Sequence, residues 1–198
     1  MGNQAAVVGK VASGVIMAIA VLAAPARAQY SIFDSDAALQ TFHERVDAYA
    51  ALHRRLAPLP SADTMADPLT KLLTKTYLAS AIRGSRPYAQ QGDMFSPEIA
   101  TLFRWMLADA IGQRDAESFV AELNVAIAAP HVMHPDVNET YTMASLCRLP
   151  VNIRSALPKL PPELDYRLAG RDLVLWDIYA GIVIDFVPDA VTSPGSIE

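Results

Sequence analysis

Cysteine is nearly absent from this sequence: Cys147 is the only one in 198 residues. An internal disulfide is therefore excluded, so packing has to hold the fold together. A lone cysteine is usually a small buried apolar residue, and no motif frames this one as a nucleophile. We predict a structural role for Cys147 and leave a bond between chains and thiol catalysis as alternatives.

The signatures of common enzymes are lacking as well. The chain contains no G-x-S-x-G elbow, no phosphate-binding P-loop, no G-x-G-x-x-G and no C-x-x-C. Familiar serine-hydrolase, nucleotide-binding and dithiol chemistries therefore find no support in the residues. No recognisable catalytic set remains, and the sequence favours a non-catalytic role.

Positive charge is scarce after residue 28. That part of the chain carries 14 basic and 21 acidic residues, which gives a formal charge of −7 with histidine neutral. An acidic surface repels phosphate groups, so nucleic acids and anionic lipids are poor partners. A partner protein or a small ligand is expected instead.

Long apolar runs are confined to the N-terminus. Lys10 precedes an apolar run over Val11–Ala24, which is shorter than a comfortable bilayer span. Residues 26–28, Ala-Arg-Ala, have the small-x-small pattern that signal peptidase recognises, and no cysteine follows to carry a lipid. We predict a signal peptide over residues 1–28, cleaved after Ala28, and a periplasmic or secreted mature chain without a membrane span. An uncleaved anchor helix is the alternative.

The mature chain, residues 29–198, has the length of one domain. Residues 35–128 predict four helices, each with apolar residues at helical spacing and a capping residue at its start. Their predicted starts are Ser35 or Asp36, Asp67, Ser96 and Asp115. The second helix is expected to present a broad apolar surface, which comprises Leu69, Leu72, Leu73, Leu78 and Ile82.

Residues 130–162 form a proline-rich connector that is expected to wrap over the helices, with one short helical turn at 152–157. Its predicted anchors are Leu146, Leu149, Val151, Ile153 and Leu157. Residues 163–189 predict a three-stranded antiparallel meander, in which the β-branched residues of 183–187 favour a strand over a helix. The predicted strands are 165–168, 172–177 and 182–187, with a helix over Val183–Val187 as the alternative. The fold class is therefore α+β, a helical N-terminal part packed with a C-terminal meander.

Charged residues flank the turns and strands of this meander. Asp172 and Asp177 lie next to turns, where aspartate is favoured by side-chain to backbone hydrogen bonds. Asp165 and Arg167 are expected to point outward on an edge strand, where charge discourages aggregation. These features predict a structural role for most of the charges.

Asp185 is the exception, because it lies between two apolar residues and is expected to be desolvated. A buried carboxylate needs a cation, and Arg171 or Arg167 is the nearest candidate in this topology. Such a pair is more often structural, but it can also line a pocket. We therefore name Arg167, Arg171, Asp177 and Asp185 as candidate binding residues.

The stretch HVMHPD places His131, His134 and Asp136 within six residues. These side chains could hold a divalent metal ion from a loop. The stretch lacks the H-E-x-x-H spacing of helical metalloproteases, so a solvated loop is the expected state and no cofactor is predicted. A metal-assisted hydrolase built on these three residues is the enzyme alternative.

Two more features could take part in binding. Arg83 and Arg86 precede Tyr88 and a glycine turn, where they could bind a small anion or a partner's carboxylate. Cations at a helix C-terminus are the ordinary explanation for such residues. His53 lies on the apolar stripe of the first helix, one turn after Tyr49, and we expect a core-edge histidine with one hydrogen-bond partner.

The stretches ALPKLPPELDYRLAGRDLVLWDIYAGIVIDF and GDMFSPEIATLFRWML resemble a group of exported bacterial proteins of unassigned activity. The resemblance covers most of the mature chain and implies an envelope location and helices followed by a meander. It assigns no catalytic residue. The expected function is non-catalytic binding of an envelope partner protein or a small ligand, with self-association through meander edges as a third possibility.

Overall fold

The structure, a computed structural model, describes residues 32–58, 67–112, 134–141 and 146–191. The predicted signal peptide, the predicted helix from Asp115 and the candidate ligand His131 lie outside the described residues. Within the described ranges, no helix combines the length and the apolar character that crossing a membrane requires.

Three long helices form the N-terminal part of the fold. α1 spans Ile32–Leu56, α2 spans Pro68–Ser85 and α3 spans Pro97–Gly112. α1 begins a few residues before its predicted start, whereas α2 and α3 begin at the prolines that follow the predicted caps. The Asp67 carboxylate accepts a hydrogen bond from the Thr70 backbone N–H at 2.8 Å, which confirms the cap of α2.

A short helix, α4, spans Val151–Ala156 in the connector, where one helical turn is predicted. Leu149, Ile153 and Leu157 are buried in the core, as expected of anchors. Val151 is exposed, so its prediction as an anchor is wrong. It is the first residue of α4 and precedes Ile153 by two positions, which places the two side chains on different faces of the helix.

The sheet has four antiparallel strands in the order β1-β2-β3-β4, one more than the predicted meander. β1, Cys147–Arg148, comes from the connector and pairs with β2, and two residues are too few to give a strand pattern. β2 is Leu164–Ala169, β3 is Asp172–Asp177 and β4 is Ile182–Val187. These bounds match the predicted strands closely, and the helix alternative for Val183–Val187 is wrong.

The pairing of β3 with β4 contains a register shift. Leu175 pairs with Asp185, whereas the next residue, Trp176, pairs with Val183, so Ile184 is an extra residue on β4. A bulge of this kind breaks the alternation of side chains along a strand. Asp185 consequently shares the side of Leu175, which is the side on which the helices pack.

Apolar clusters cover both faces of the sheet, as predicted from strands that are apolar on both sides. The larger cluster joins the four helices to the sheet around an aromatic group with ring centroids 4.9–5.8 Å apart, formed by Phe42, Phe95, Phe103 and Tyr166. The smaller cluster lies on the opposite face and contains Leu146, Ala169, Val174, Trp176, Val183 and Phe186. The core is thus built on both sides of β3.

Part of the connector closes the outer edge of β4 where this strand begins. The Asn138 N–H donates to the Val183 carbonyl at 2.7 Å, and the Val183 N–H donates to the Glu139 carbonyl at 3.1 Å. Asn138 adopts a φ of 67°, a left-handed conformation that asparagine tolerates better than most residues. This segment shields one end of the outer edge of β4. Self-association through such a sheet edge was one of the predicted alternatives.

Candidate functional site

Asp177, at the end of β3, is a charged group whose side chain is fully buried. Its Oδ2 accepts hydrogen bonds from the Tyr49 hydroxyl and from His53 Nδ1, both at 2.6 Å. Its Oδ1 accepts from the backbone N–H groups of Tyr179 at 2.9 Å and Ala180 at 2.7 Å. One carboxylate therefore fixes the β3–β4 turn and ties it to α1.

This network confirms two predictions. Asp177 occupies a turn and bonds its backbone, and His53 is a buried histidine with one hydrogen-bond partner among the described residues. The two donors on α1, Tyr49 and His53, are four residues apart and so lie on one helix face. Burial and the adjacent Asp177 carboxylate raise the pKa of the Tyr49 hydroxyl far above its usual range, so the hydroxyl remains a donor.

Asp185 is held in a different way from the one predicted. Its carboxylate accepts hydrogen bonds from four backbone N–H groups at 2.7–2.9 Å, those of Gly92, Met94, Phe95 and Phe186. The expected pairing with Arg171 or Arg167 is wrong, because the bulge directs Asp185 toward the loop between α2 and α3. Burial raises the pKa of Asp185, while the four N–H donors act in the opposite direction.

Asp172, at the start of β3, forms the second contact between a histidine and an aspartate. Its Oδ2 lies 2.6 Å from His134 Nδ1, and its Oδ1 accepts a hydrogen bond from the Asp189 backbone N–H at 2.9 Å. The His134 ring stacks on Phe186 and is largely exposed, with 62% of its side chain accessible. The hydrogen bond and the charge of Asp172 raise the pKa of His134.

The candidate metal loop is only partly described. His134 already uses Nδ1 in its contact with Asp172, and Asp136 is exposed. No group of three potential metal ligands occurs in the described part of the chain, and His131 lies outside it. The metal site stays a prediction.

Arg83 and Arg86 bind other parts of the protein. Arg83 donates to the Asn138 carbonyl and to the Thr140 hydroxyl, both at 2.6 Å. The Arg86 guanidinium lies over the Tyr49 ring at 5.4 Å, and burial lowers its pKa. Both arginines therefore connect the C-terminal end of α2 to neighbouring segments.

The candidate binding residues do not gather in one cavity. Asp177 pairs with the first residue of β4, whereas Asp185 lies in the second half of that strand. The two carboxylates bind separate sets of donors. Arg167 belongs to β2, an inner strand, so the prediction that it lies on an edge strand is wrong. Its side chain is buried, and its Nη2 lies 2.8 Å from the Asp165 carboxylate. Arg171 is an exposed turn residue.

A surface that the sequence did not indicate as exposed lies on α2. The predicted apolar surface of this helix divides into two: Leu78 and Ile82 are buried, whereas the N-terminal half exposes its apolar residues. Four side chains that are 59–62% accessible form what we call the outer face of α2: Leu69, Leu72, Leu73 and Tyr77. Leu69 and Leu78 are nine positions apart, which places them on opposite sides of an α-helix. The spacing of the leucines in the sequence could therefore have shown this division.

No family model matches the chain, and no curated protein or solved structure matches it either.

Proposed function

We propose that this protein is an exported, non-catalytic module that binds a partner protein through the outer face of α2. The observation that carries the proposal is the group of three leucines and a tyrosine, each about three-fifths exposed on one helix. Single exposed apolar residues are ordinary, but a group on one helix face indicates an interaction site. The resemblance to exported proteins supports the envelope location.

The buried carboxylates support the non-catalytic part of the proposal. Asp177 and Asp185 are fully buried, and each accepts hydrogen bonds from four groups of the protein. A carboxylate whose lone pairs are occupied in this way is poorly placed to take a proton from a substrate. Their contacts instead join the sheet to α1 and to the loop before α3.

The charge of α2 defines the kind of partner. The helix contains Lys71, Lys75 and Arg83 and no acidic residue, although the chain as a whole is acidic. The net positive charge of α2 therefore favours an amphipathic helix that carries glutamate or aspartate.

Peptide binding tests this proposal. The probe is a helical peptide of about five turns with leucine on one side and glutamate on the other, and the matched peptide carries lysine in place of glutamate. We expect the mature protein to bind the acidic peptide more tightly. The Leu72→Ser/Leu73→Ser variant should lose this binding, and Val151→Ser, at another exposed apolar residue, should keep it.

Other occupants of the outer face would overturn the proposal. Equal binding of both peptides, or binding that survives Leu72→Ser/Leu73→Ser, contradicts recognition by this face. Sedimentation that shows a dimer abolished by the same variant would assign the face to a second copy of the chain. Binding to vesicles of anionic lipid would assign it to a membrane surface.

The location is tested separately. Mass measurement of the protein recovered from the envelope of the cells that make it should give a chain beginning at Gln29. A chain that keeps residues 1–28 and stays with the membrane would contradict export with cleavage.

A further inference from the structure

A cavity of about 400 Å³ lies between the first half of β2 and the end of α4 with the segment that follows it. Its apolar lining includes Leu157, Leu160 and Leu164, and its charged lining includes Arg154, Lys159 and Asp165. The volume falls in the range of sites for small molecules. An apolar wall with a few charged groups is the usual composition of such a site.

Cations exceed carboxylates around this cavity. Arg154 and Lys159 line it, and the buried Arg167, which binds Asp165, pairs across the strands with Arg148. We call these four cations the basic cluster. Asp165 is the one carboxylate among the described lining residues, and it is already paired with Arg167 at 2.8 Å.

The cations of this cluster are incompletely paired. Arg154 Nη1 lies 3.9 Å from Asp165, too far for a hydrogen bond, and about half of its side chain is exposed. The Arg167 side chain is only 8% accessible, and its Nε has no hydrogen-bond partner in the described part of the structure. Arg148 and Arg167 are directly opposite across β1 and β2, where like charges destabilise a sheet.

We infer that this cavity binds a small carboxylate ligand with an apolar body. The carboxylate would bind Arg154 and Lys159, and the apolar body would pack against Leu157, Leu160 and Leu164. Guanidinium groups bind carboxylates with two parallel hydrogen bonds, which gives orientation as well as affinity. The site is separate from the outer face of α2 and does not depend on it.

Ligand titration by NMR tests the site with defined probes. Hexanoate should shift the backbone amide signals of residues 157, 159–160 and 164–166. Acetate lacks the apolar body and hexanol lacks the charge. Each should bind at least about tenfold more weakly than hexanoate. Hexyl phosphate, the competing anion with the same apolar body, is titrated alongside them.

Variants and salt complete the test. Arg154→Gln/Lys159→Gln should weaken hexanoate binding about tenfold, whereas Arg55→Gln/Lys71→Gln, at exposed cations on α1 and α2, should not change it. Added sodium chloride should weaken hexanoate binding to the unaltered protein, which does not require any variant to fold.

Several results would overturn the assignment. Equal affinity for hexanoate and hexanol would remove the role of the cations. Amide shifts elsewhere in the protein, or none at millimolar hexanoate, would remove the site. Tighter binding of hexyl phosphate would replace the proposed ligand class.

Discussion

Two groups of charged residues in and beside the C-terminal sheet differ in how completely they are bonded. The carboxylates of β3 and β4 are buried, and each accepts hydrogen bonds from named donors of the protein. The basic cluster beside β2 is less fully paired, and Arg154 and Lys159 remain accessible. Buried charges that are fully bonded specify the arrangement of a fold, whereas accessible charges with few partners are available to ligands.

The largest effect should come from removing a carboxylate of the first group. Asp177→Ala leaves four donors without an acceptor: the Tyr49 hydroxyl, His53 Nδ1 and two backbone N–H groups. We expect the free energy of unfolding to fall by about 4 kcal/mol, measured by urea denaturation. Asp47→Ala, at an exposed position of α1, is the control and should change it by less than about 0.5 kcal/mol. Similar effects of the two variants would remove the distinction between a buried, fully bonded carboxylate and an exposed one.

A smaller loss should follow from Asp185→Asn. The amide group keeps the shape of the side chain but replaces one acceptor oxygen with a donor, which then faces backbone N–H groups. We expect the free energy of unfolding to fall by about 2 kcal/mol in the same assay. Asp136→Asn, at an exposed position, should be neutral. A neutral Asp185→Asn would show that the N–H cradle contributes little.

Two glycines should respond with opposite signs. Gly181 has a φ of +67°, and the side chain of Lys75 occupies the place that a Cβ atom would need. Gly181→Ala should therefore destabilise the protein by about 1 kcal/mol, most of it backbone strain because the Lys75 chain can move. Gly84 lies in α2 with open space around it, so Gly84→Ala should stabilise by about 0.5 kcal/mol. Urea denaturation of both variants checks the signs, and stabilisation by Gly181→Ala would contradict the turn geometry.

The smallest effect concerns the exposed His134–Asp172 contact and is a pH dependence. The pKa of His134 is raised in the folded protein by its hydrogen bond to Asp172 and by the charge of Asp172. The protonated ring therefore stabilises the fold below the unfolded pKa of about 6.5, and this contribution disappears as the pH rises through the folded pKa.

The test compares the unaltered protein with His134→Gln by urea denaturation across this pH range. Because most of the ring is exposed, we expect a difference of less than about 1 kcal/mol on the acidic side and none on the alkaline side. A difference that grows with pH would reverse the assigned direction of the shift.

Much of the sheet could be predicted from the sequence, because its turns contain glycine, β3 and β4 are largely apolar, and β4 is rich in β-branched residues. The bounds of β3 and β4 and the role of Asp177 at a turn followed from these local signals. The partner of Asp185 did not, because it depends on the bulge at Ile184, which reverses the expected side of the strand. The alternation of side chains along a strand does not reveal such an extra residue.

The ligand-binding features were harder to predict, because they depend on contacts between segments that are distant in the sequence. Arg154 belongs to α4 and Lys159 to the irregular segment that follows it, and only the folded chain brings them beside Asp165. The outer face of α2 has the same leucines as a buried helix face, and exposure depends on which neighbours pack against it. Local patterns predict elements, whereas sites formed by distant segments require the tertiary structure.

A pair of double-mutant cycles tests most directly whether the two groups of charges differ. The first combines His53→Gln with Asp177→Asn, and the second combines Arg154→Gln with Asp165→Asn. We predict a coupling free energy of about 2 kcal/mol for the buried pair and less than about 0.5 kcal/mol for the accessible pair. Equal couplings, or a stronger coupling between Arg154 and Asp165, would contradict the division between charges that hold the fold and charges that are free to bind.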